Sequence, residues 1–312
     1  MANVTTTSQI AAGVNVFMSK VMLARARPAT VFLDFAQQKD LPSRNSDTIK
    51  FRRQSSLSTA TVSLSEGTTP AGQKMSVTDM TLQLEQYGDY LILSDKVKII
   101  VDSPDLNDNA DLLGQQMAET LDELVREMMS TTATVYSAAN GSNGNTPTEL
   151  TEEDCDIVVE SLDNNSGKRF MPMIHAGNGQ NTSAVGKSYW AIGQSKIFRD
   201  LKKVGSWLDV KDYAGHKDVH PDEVGATGNI RWVLTPLGKV VSGSPDVYES
   251  FVCAQDSYGV SKLSELTVEN MIEEAGGSGD PLRQRKSQGW KAMFGSLILN
   301  DLWLFKFRST NN

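Results

Sequence analysis

Asp105 to Ala138 reads DLNDNADLLGQQMAETLDELVREMMSTTATVYSA, and within it Leu113, Met117, Leu121, Leu124, Met128 and Val135 recur at steps of three, four or seven. That spacing puts the apolar side chains on one face of an α-helix. Ser103 before Pro104 supplies an N-cap with proline at the first helical position, and Asp122 with Arg126 forms a favourable i,i+4 pair. A helix of about 30 residues between Asp105 and about Ala138 would run about 45 Å. That exceeds what a compact globule of this size usually holds, so the segment reads as a strut.

Upstream of the strut the period changes to two. Ile49 and Phe51 alternate with Lys50 and Arg52, a stretch from Leu57 to Leu64 follows, and Met80, Leu82 and Leu84 alternate with Thr81, Gln83 and Glu85. Between them, residues 66–73 (EGTTPAGQ) carry turn chemistry, so 48–93 predicts a long β-hairpin with little opposing material in its own sequence. Residues 1–43 are polar and then loosely apolar, which predicts an arm with a short helix that packs on a neighbour.

Downstream, residues 140–147 (NGSNGNTP) close the strut, and Thr151-Glu-Glu-Asp154 signals the cap of a shorter helix over Ile157–Leu162. Short strands are predicted at 170–174, 189–192, 233–235 and 248–254, with helices at 195–204 and 236–241, giving a compact α/β region. The tail from Gly289 to Phe307 is dense in aromatic and aliphatic residues. It predicts buried sheet packed on the strut.

The chain has 312 residues, 30 Lys+Arg against 38 Asp+Glu, and a net charge of -8. This length suffices for a core without disulfides or metals, and it suggests about two domains. The acidic balance argues against a nucleic-acid-binding surface, which needs Lys and Arg to neutralise phosphates. Cys155 and Cys253 form no C-x-x-C pair and read as buried reduced thiols. The opening residues lack the basic and apolar regions of a signal peptide, and no apolar run approaches a membrane span, so a soluble, unexported protein is expected.

Candidate chemistry is thin. His216 and His220 form H-x-x-x-H with Asp218, Asp222 and Glu223 close by, a set that would suit a metal on a helix; Gly215 and Pro221 bracket it and make it a loop. His175 reads as a strand-end histidine. Gly186-Lys187-Ser188 lacks the preceding loop glycine and the following helix of a phosphate loop. Ser195 lacks the glycine that closes a nucleophile elbow. No catalytic, cofactor or metal residues are assigned. The notable basic clusters are Arg52-Arg53 and Arg283-Gln-Arg285-Lys286. They read either as exposed charge or as ion-pairing groups for acidic patches on identical copies.

Two motifs go further: Leu112-Leu-Gly-Gln-Gln-Met-Ala-Glu-Thr-Leu-Asp-Glu-Leu-Val125 in the strut, and Gly279-Asp-Pro-Leu-Arg-Gln-Arg285 followed by Gly289-Trp290-Lys291 and Ile298-Leu-Asn-Asp301 in the tail. With the order arm, hairpin, strut, α/β region and returning sheet, they resemble the major capsid (coat) proteins of tailed bacteriophages. The fold that the resemblance implies is α+β and HK-ninety-seven-like, in the group related to the coat protein of the coliphage N-four.

The resemblance implies an N-terminal arm at 1–43, an extended β-hairpin loop at 44–95, a peripheral domain with its spine helix at 96–149, an axial domain at 150–260 and a peripheral return at 261–312. It implies no catalysis and no cofactor. Instead, hexamers and pentamers of identical subunits would close into an icosahedral shell around double-stranded DNA, in a virion assembled in the host cytoplasm. A separate scaffolding protein and a portal would be partners, with room for a decoration protein, and no membrane would be involved. Candidate inter-subunit contacts are Arg52, Arg53, Glu66, Lys74, Asp280, Arg283 and Arg285. Some relatives crosslink a hairpin lysine to a neighbour's asparagine; Lys50, Lys74 and Asn300 are of the right types, though nothing in the sequence positions them. Alternatives are a nanocompartment shell of the same fold, or a metal-dependent hydrolase using the His216–Glu223 loop.

Overall fold

The computed structural model describes residues 30–40, 47–55, 57–63, 66–67, 69, 71–94, 106–171, 173–175, 182–215, 217–262, 271–273 and 284–311. In chain order the strands are β1 (Gln37–Gln38), β2 (Thr48–Gln54), β3 (Val77–Gln83), β4 (Glu85–Ser94), β5 (Val135–Ser137), β6 (Tyr189–Gln194), β7 (Trp207–Asp209), β8 (Glu223–Thr227), β9 (Ile230–Thr235), β10 (Lys239–Val241), β11 (Val247–Cys253), β12 (Tyr258–Lys262), β13 (Met271–Glu273), β14 (Arg285–Ile298) and β15 (Leu304–Thr310). The helices are α1 (Leu106–Ser130), α2 (Glu152–Asn164) and the single turn α3 (Phe198–Leu201).

An eight-stranded mixed sheet runs β5-β15-β11-β6-β9-β8-β7, with β10 beside the part of β11 that β6 leaves free. Side chains alternate across it, as the pleat requires. Tyr189, Ala191, Ile230, Trp232, Val252, Phe305 and Phe307 face α2, whose Cys155, Val158, Val159 and Leu162 complete that core. Trp190, Ile192, Val233, Phe251, Cys253 and Leu304 face the other way, onto Val125 and Met129 of α1 and onto Val31, Phe32 and Phe35.

A five-stranded sheet is built around β14, with β4 on one side and β12 and β13 end to end on the other; β1 extends it beyond β12. The chain passes between the two sheets at 254–257 and 299–303, and these crossings bond to each other: Leu299 and Asn300 N–H groups donate to the Ser257 carbonyl, and Ala254 N–H to that of Trp303. α1, about 37 Å long at its usual rise, lies over both sheets. Its Leu113 and Met117 meet Trp290 and Ala292 of β14, so the strut does carry the first part of the tail.

Four expectations need correction. The helix stops at Ser130 rather than reaching Ala138. Thr131, Thr132 and Thr134 are poor helix formers, Lys306 Nζ donates to the Ser130 carbonyl, and Val135 leaves to pair with Lys306 in β5. The hairpin is shorter than predicted: only β2 and β3 pair, Thr48 with Gln83 to Gln54 with Val77. Residues 57–63 form no strand, and β4 deserts the hairpin to pair ten residues long with β14. Residues 236–241 are a turn and strand β10, not a helix: the Gly238 N–H closes a turn onto the Thr235 carbonyl, and Lys239–Val241 pair with Glu249–Val247 of β11. The tail is split between sheets, with β15 between β5 and β11 and away from β14. Thr151 does cap α2, with Asp154 closing the reciprocal bond. The proposed cap at Ser103 and the short helix within 1–29 lie outside the described residues.

Candidate functional site

The hairpin sits on the five-stranded sheet by its base alone. Ile49, Phe51, Leu82 and Leu84 bury against Met293, Leu297 and Leu299. Beyond Gln54 and Val77 the chain runs out into solvent, where Leu57 is 61% and Val62 86% exposed and Met75 is open as well.

The same sheet face continues past the hairpin base as a trough of about 480 Å³ lined by Gln86, Gly88, Tyr90, Ser287, Gly289 and Lys291, with Tyr90 59% exposed. Its floor is two backbones in close approach. A Cβ on Gly88 would lie 2.6 Å from the Trp290 carbonyl oxygen, and one on Gly289 2.8 Å from Tyr90 Cβ. On the opposite face of these strands Gln116 of α1 donates to Asp89 (2.6 Å) and accepts from the Trp290 indole (3.2 Å), which fixes the sheet to the helix.

The predicted contact residues do not converge. Arg52 pairs across the hairpin with Asp79 (3.0 Å), and Arg53 donates to the Leu299 carbonyl at 3.5 Å. Glu66 and Lys74 are exposed between the hairpin strands. Arg285 begins β14 opposite Ser94, at the far end from the hairpin base. Asp280 and Arg283 lie outside the described residues.

The His216–Glu223 loop is committed to other bonds. His216 is outside the described residues. Glu223 is buried and holds the Arg231 guanidinium at 2.7 and 2.5 Å, accepts from the Tyr213 hydroxyl at 2.8 Å, and so has no free oxygen for a metal. His220 Nδ1 accepts the Asp222 N–H and Nε2 faces Asp34 at 3.1 Å. Among the described residues no group of three or more His, Cys, Asp and Glu converges as metal ligands would. The hydrolase reading therefore loses Glu223 as a metal ligand. His175 is exposed beside the Ile174–Val185 bridge, and Lys187-Ser188 run into strand β6. Both cysteines are buried, and desolvation raises the Cys253 thiol to about 12. Among the described residues no helix is long and apolar enough to cross a membrane.

Sequence reading paired Asp122 of α1 with Arg126, but Arg126 bonds Glu123, Glu127 and the Leu237 carbonyl, and Asp122 is buried. It is fully enclosed, accepts the Phe32 N–H at 2.8 Å, and desolvation raises its carboxyl to about 6 against backbone donors that pull it down. Its helical spacing from Val125 and Met129, on the buried face, was the available signal.

These sheets, helices and projecting hairpin make an α+β fold similar to that of solved phage capsid structures. The head structure of Helicobacter pylori bacteriophage KHP40 is similar with a TM-score of 0.66 at 12% identity, covering 100% of this chain and 98% of that one. The capsid of Cyanophage P-SCSP1u gives 0.64 at 16% identity over 96% and 94%, and a Mycobacterium phage Bobi chain 0.60 at 13% over 100% of both. No family model matches the sequence, and no curated protein matches it.

Proposed function

We propose that this chain is the major capsid protein of a tailed bacteriophage, a structural protein and not an enzyme, which assembles with identical copies into an icosahedral shell around double-stranded DNA. The observation that carries the reading is a likeness to phage capsid structures that spans the whole chain, hairpin included. Hexamers and pentamers would form by head-to-tail contacts that close into rings. In this reading 1–43 is the arm, 44–95 the extended loop, 96–149 with 261–312 the peripheral domain and 150–260 the axial domain. The bare apolar tip around Leu57 and Val62 lies over an adjacent subunit. Arg52, Arg53, Glu66, Lys74, Asp280, Arg283 and Arg285 are candidate contacts with neighbouring copies. A separate scaffold and a portal complete the assembly in the host cytoplasm, and the net charge of -8 keeps the shell from clamping its DNA.

Deleting Ser65–Lys74 tests this. Electron microscopy and sedimentation of the full chain, expressed with its scaffold, should show shells or capsomers. The deletion should keep the far-UV spectrum and lose assembly. A full chain that stays monomeric or dimeric under all conditions would overturn the reading, and unchanged assembly after the deletion would remove the hairpin's part in it.

A further inference from the structure

The segment 31–39 crosses between the two sheets and is held at one residue, Phe32, by two buried side chains. Phe32 donates its N–H to Asp122 Oδ1 of α1 (2.8 Å), and its carbonyl accepts the Tyr258 hydroxyl of β12 (2.7 Å). Val31, Phe32 and Phe35 plug the core beneath, and Gln37 and Gln38 pair in parallel with Gly259 and Val260. One more bond ties the segment to the eight-stranded sheet's loops, Asp34 to His220 at 3.1 Å.

This clasp has an unusual charge arrangement. Asp122 is fully buried, and its second oxygen, Oδ2, has no hydrogen-bond partner. The ionisable groups that face it are Asp34 from the segment itself, Tyr258 from β12 and, behind Tyr258, Cys253 from β11. The charged neighbours on α1 turn elsewhere, Arg126 bonding Glu123, Glu127 and the Leu237 carbonyl. His220 meets the site only through Asp34, and its Nδ1 accepts the Asp222 N–H, which places the ring proton on the Nε2 that faces Asp34.

We propose that the 31–39 clasp is a proton-operated lock, closing on acidification when Asp122 takes a proton at its unpartnered oxygen and opening towards neutral pH as that carboxylate ionises. The inference concerns the single chain and does not rest on the shell reading. In the closed clasp an ionised Asp122 is a desolvated anion beside a second one, whereas in the opened clasp water reaches it. The protonated form still accepts the Phe32 N–H at Oδ1. The carboxyl is raised in the closed state, hence the closed state binds the proton more tightly and gains stability as pH falls through about 6. With an exposed value of 3.8, moving from about pH 7.5 to about pH 5 favours closure about tenfold.

Amide hydrogen exchange on the full chain reads this directly, after correction for the intrinsic pH dependence of exchange. Protection of residues 31–36 should rise about tenfold between about pH 7.5 and about pH 5 while that of α2 stays level. In Asp122→Asn the rise should collapse to under about threefold, because the neutral amide keeps the acceptor and cannot titrate. Flat protection, an equal rise in α2, or a full response that survives Asp122→Asn would each overturn the lock. Should that variant not fold, Asp34→Asn serves: removing the neighbouring carboxylate should move the midpoint to lower pH, and an unmoved midpoint overturns the proposal.

Discussion

Replacing Arg231 by methionine removes the cation from the most enclosed ion pair of the described structure. Arg231 and Glu223 side chains are 1% and 0% exposed. The guanidinium donates Nε and Nη2 to the two Glu223 oxygens, donates Nη2 also to the Asp218 carbonyl at 2.8 Å, and stacks 4.2 Å over Trp190. Arg231→Met leaves Glu223 with the Tyr213 hydroxyl and the His220 N–H only. Removing one partner of a buried ion pair costs about 3–5 kcal/mol, because the other charge is left buried, so the expected loss is about 4 kcal/mol. The double variant Arg231→Met, Glu223→Leu no longer buries the unpaired anion, so it should be more stable than the single by about 1–3 kcal/mol. Urea unfolding followed by tryptophan fluorescence and far-UV circular dichroism measures both. A single-variant loss below about 1 kcal/mol, or a double variant that loses the sum of the two singles, would refute the reasoning.

Two smaller perturbations test local claims. Thr151→Ala removes the cap of α2, where the Thr151 hydroxyl meets both the Asp154 amide and its carboxylate, and should lower stability by about 1 kcal/mol in thermal unfolding, with Thr151→Ser restoring it. Gly289→Ala drives a methyl to within 2.8 Å of Tyr90 Cβ and 2.9 Å of the Asp89 carbonyl oxygen, so it should cost about 1–3 kcal/mol by the same assay; a neutral substitution would mean that the β4–β14 pairing is looser than described.

The elements that sequence revealed were those whose local chemistry and tertiary role agree. α1 shows through because its apolar residues repeat at helical spacing and the same face packs on β14 and the eight-stranded sheet. The α2 cap was legible for the same reason, since Thr151 and Asp154 need only each other. β4 was assigned to the hairpin because it runs on directly from β3, and an extended stretch does not say which strand lies alongside it. Thr131–Val135 and Pro236–Val241 each failed where a partner strand outweighed a weak helical signal.

Sequence by itself determined the order of elements, the projecting hairpin and, through the capsid-like motifs, the fold class. Only the tertiary structure decided that the tail divides between two sheets, that Glu223 belongs to Arg231 and not to a metal, and that Asp122 grips the backbone of Phe32. The reason is physical. Helical and strand periods are set by neighbours along the chain, whereas strand partners and the desolvation of a carboxylate depend on residues distant in sequence, 90 positions for Phe32 and Asp122 and 226 for Phe32 and Tyr258.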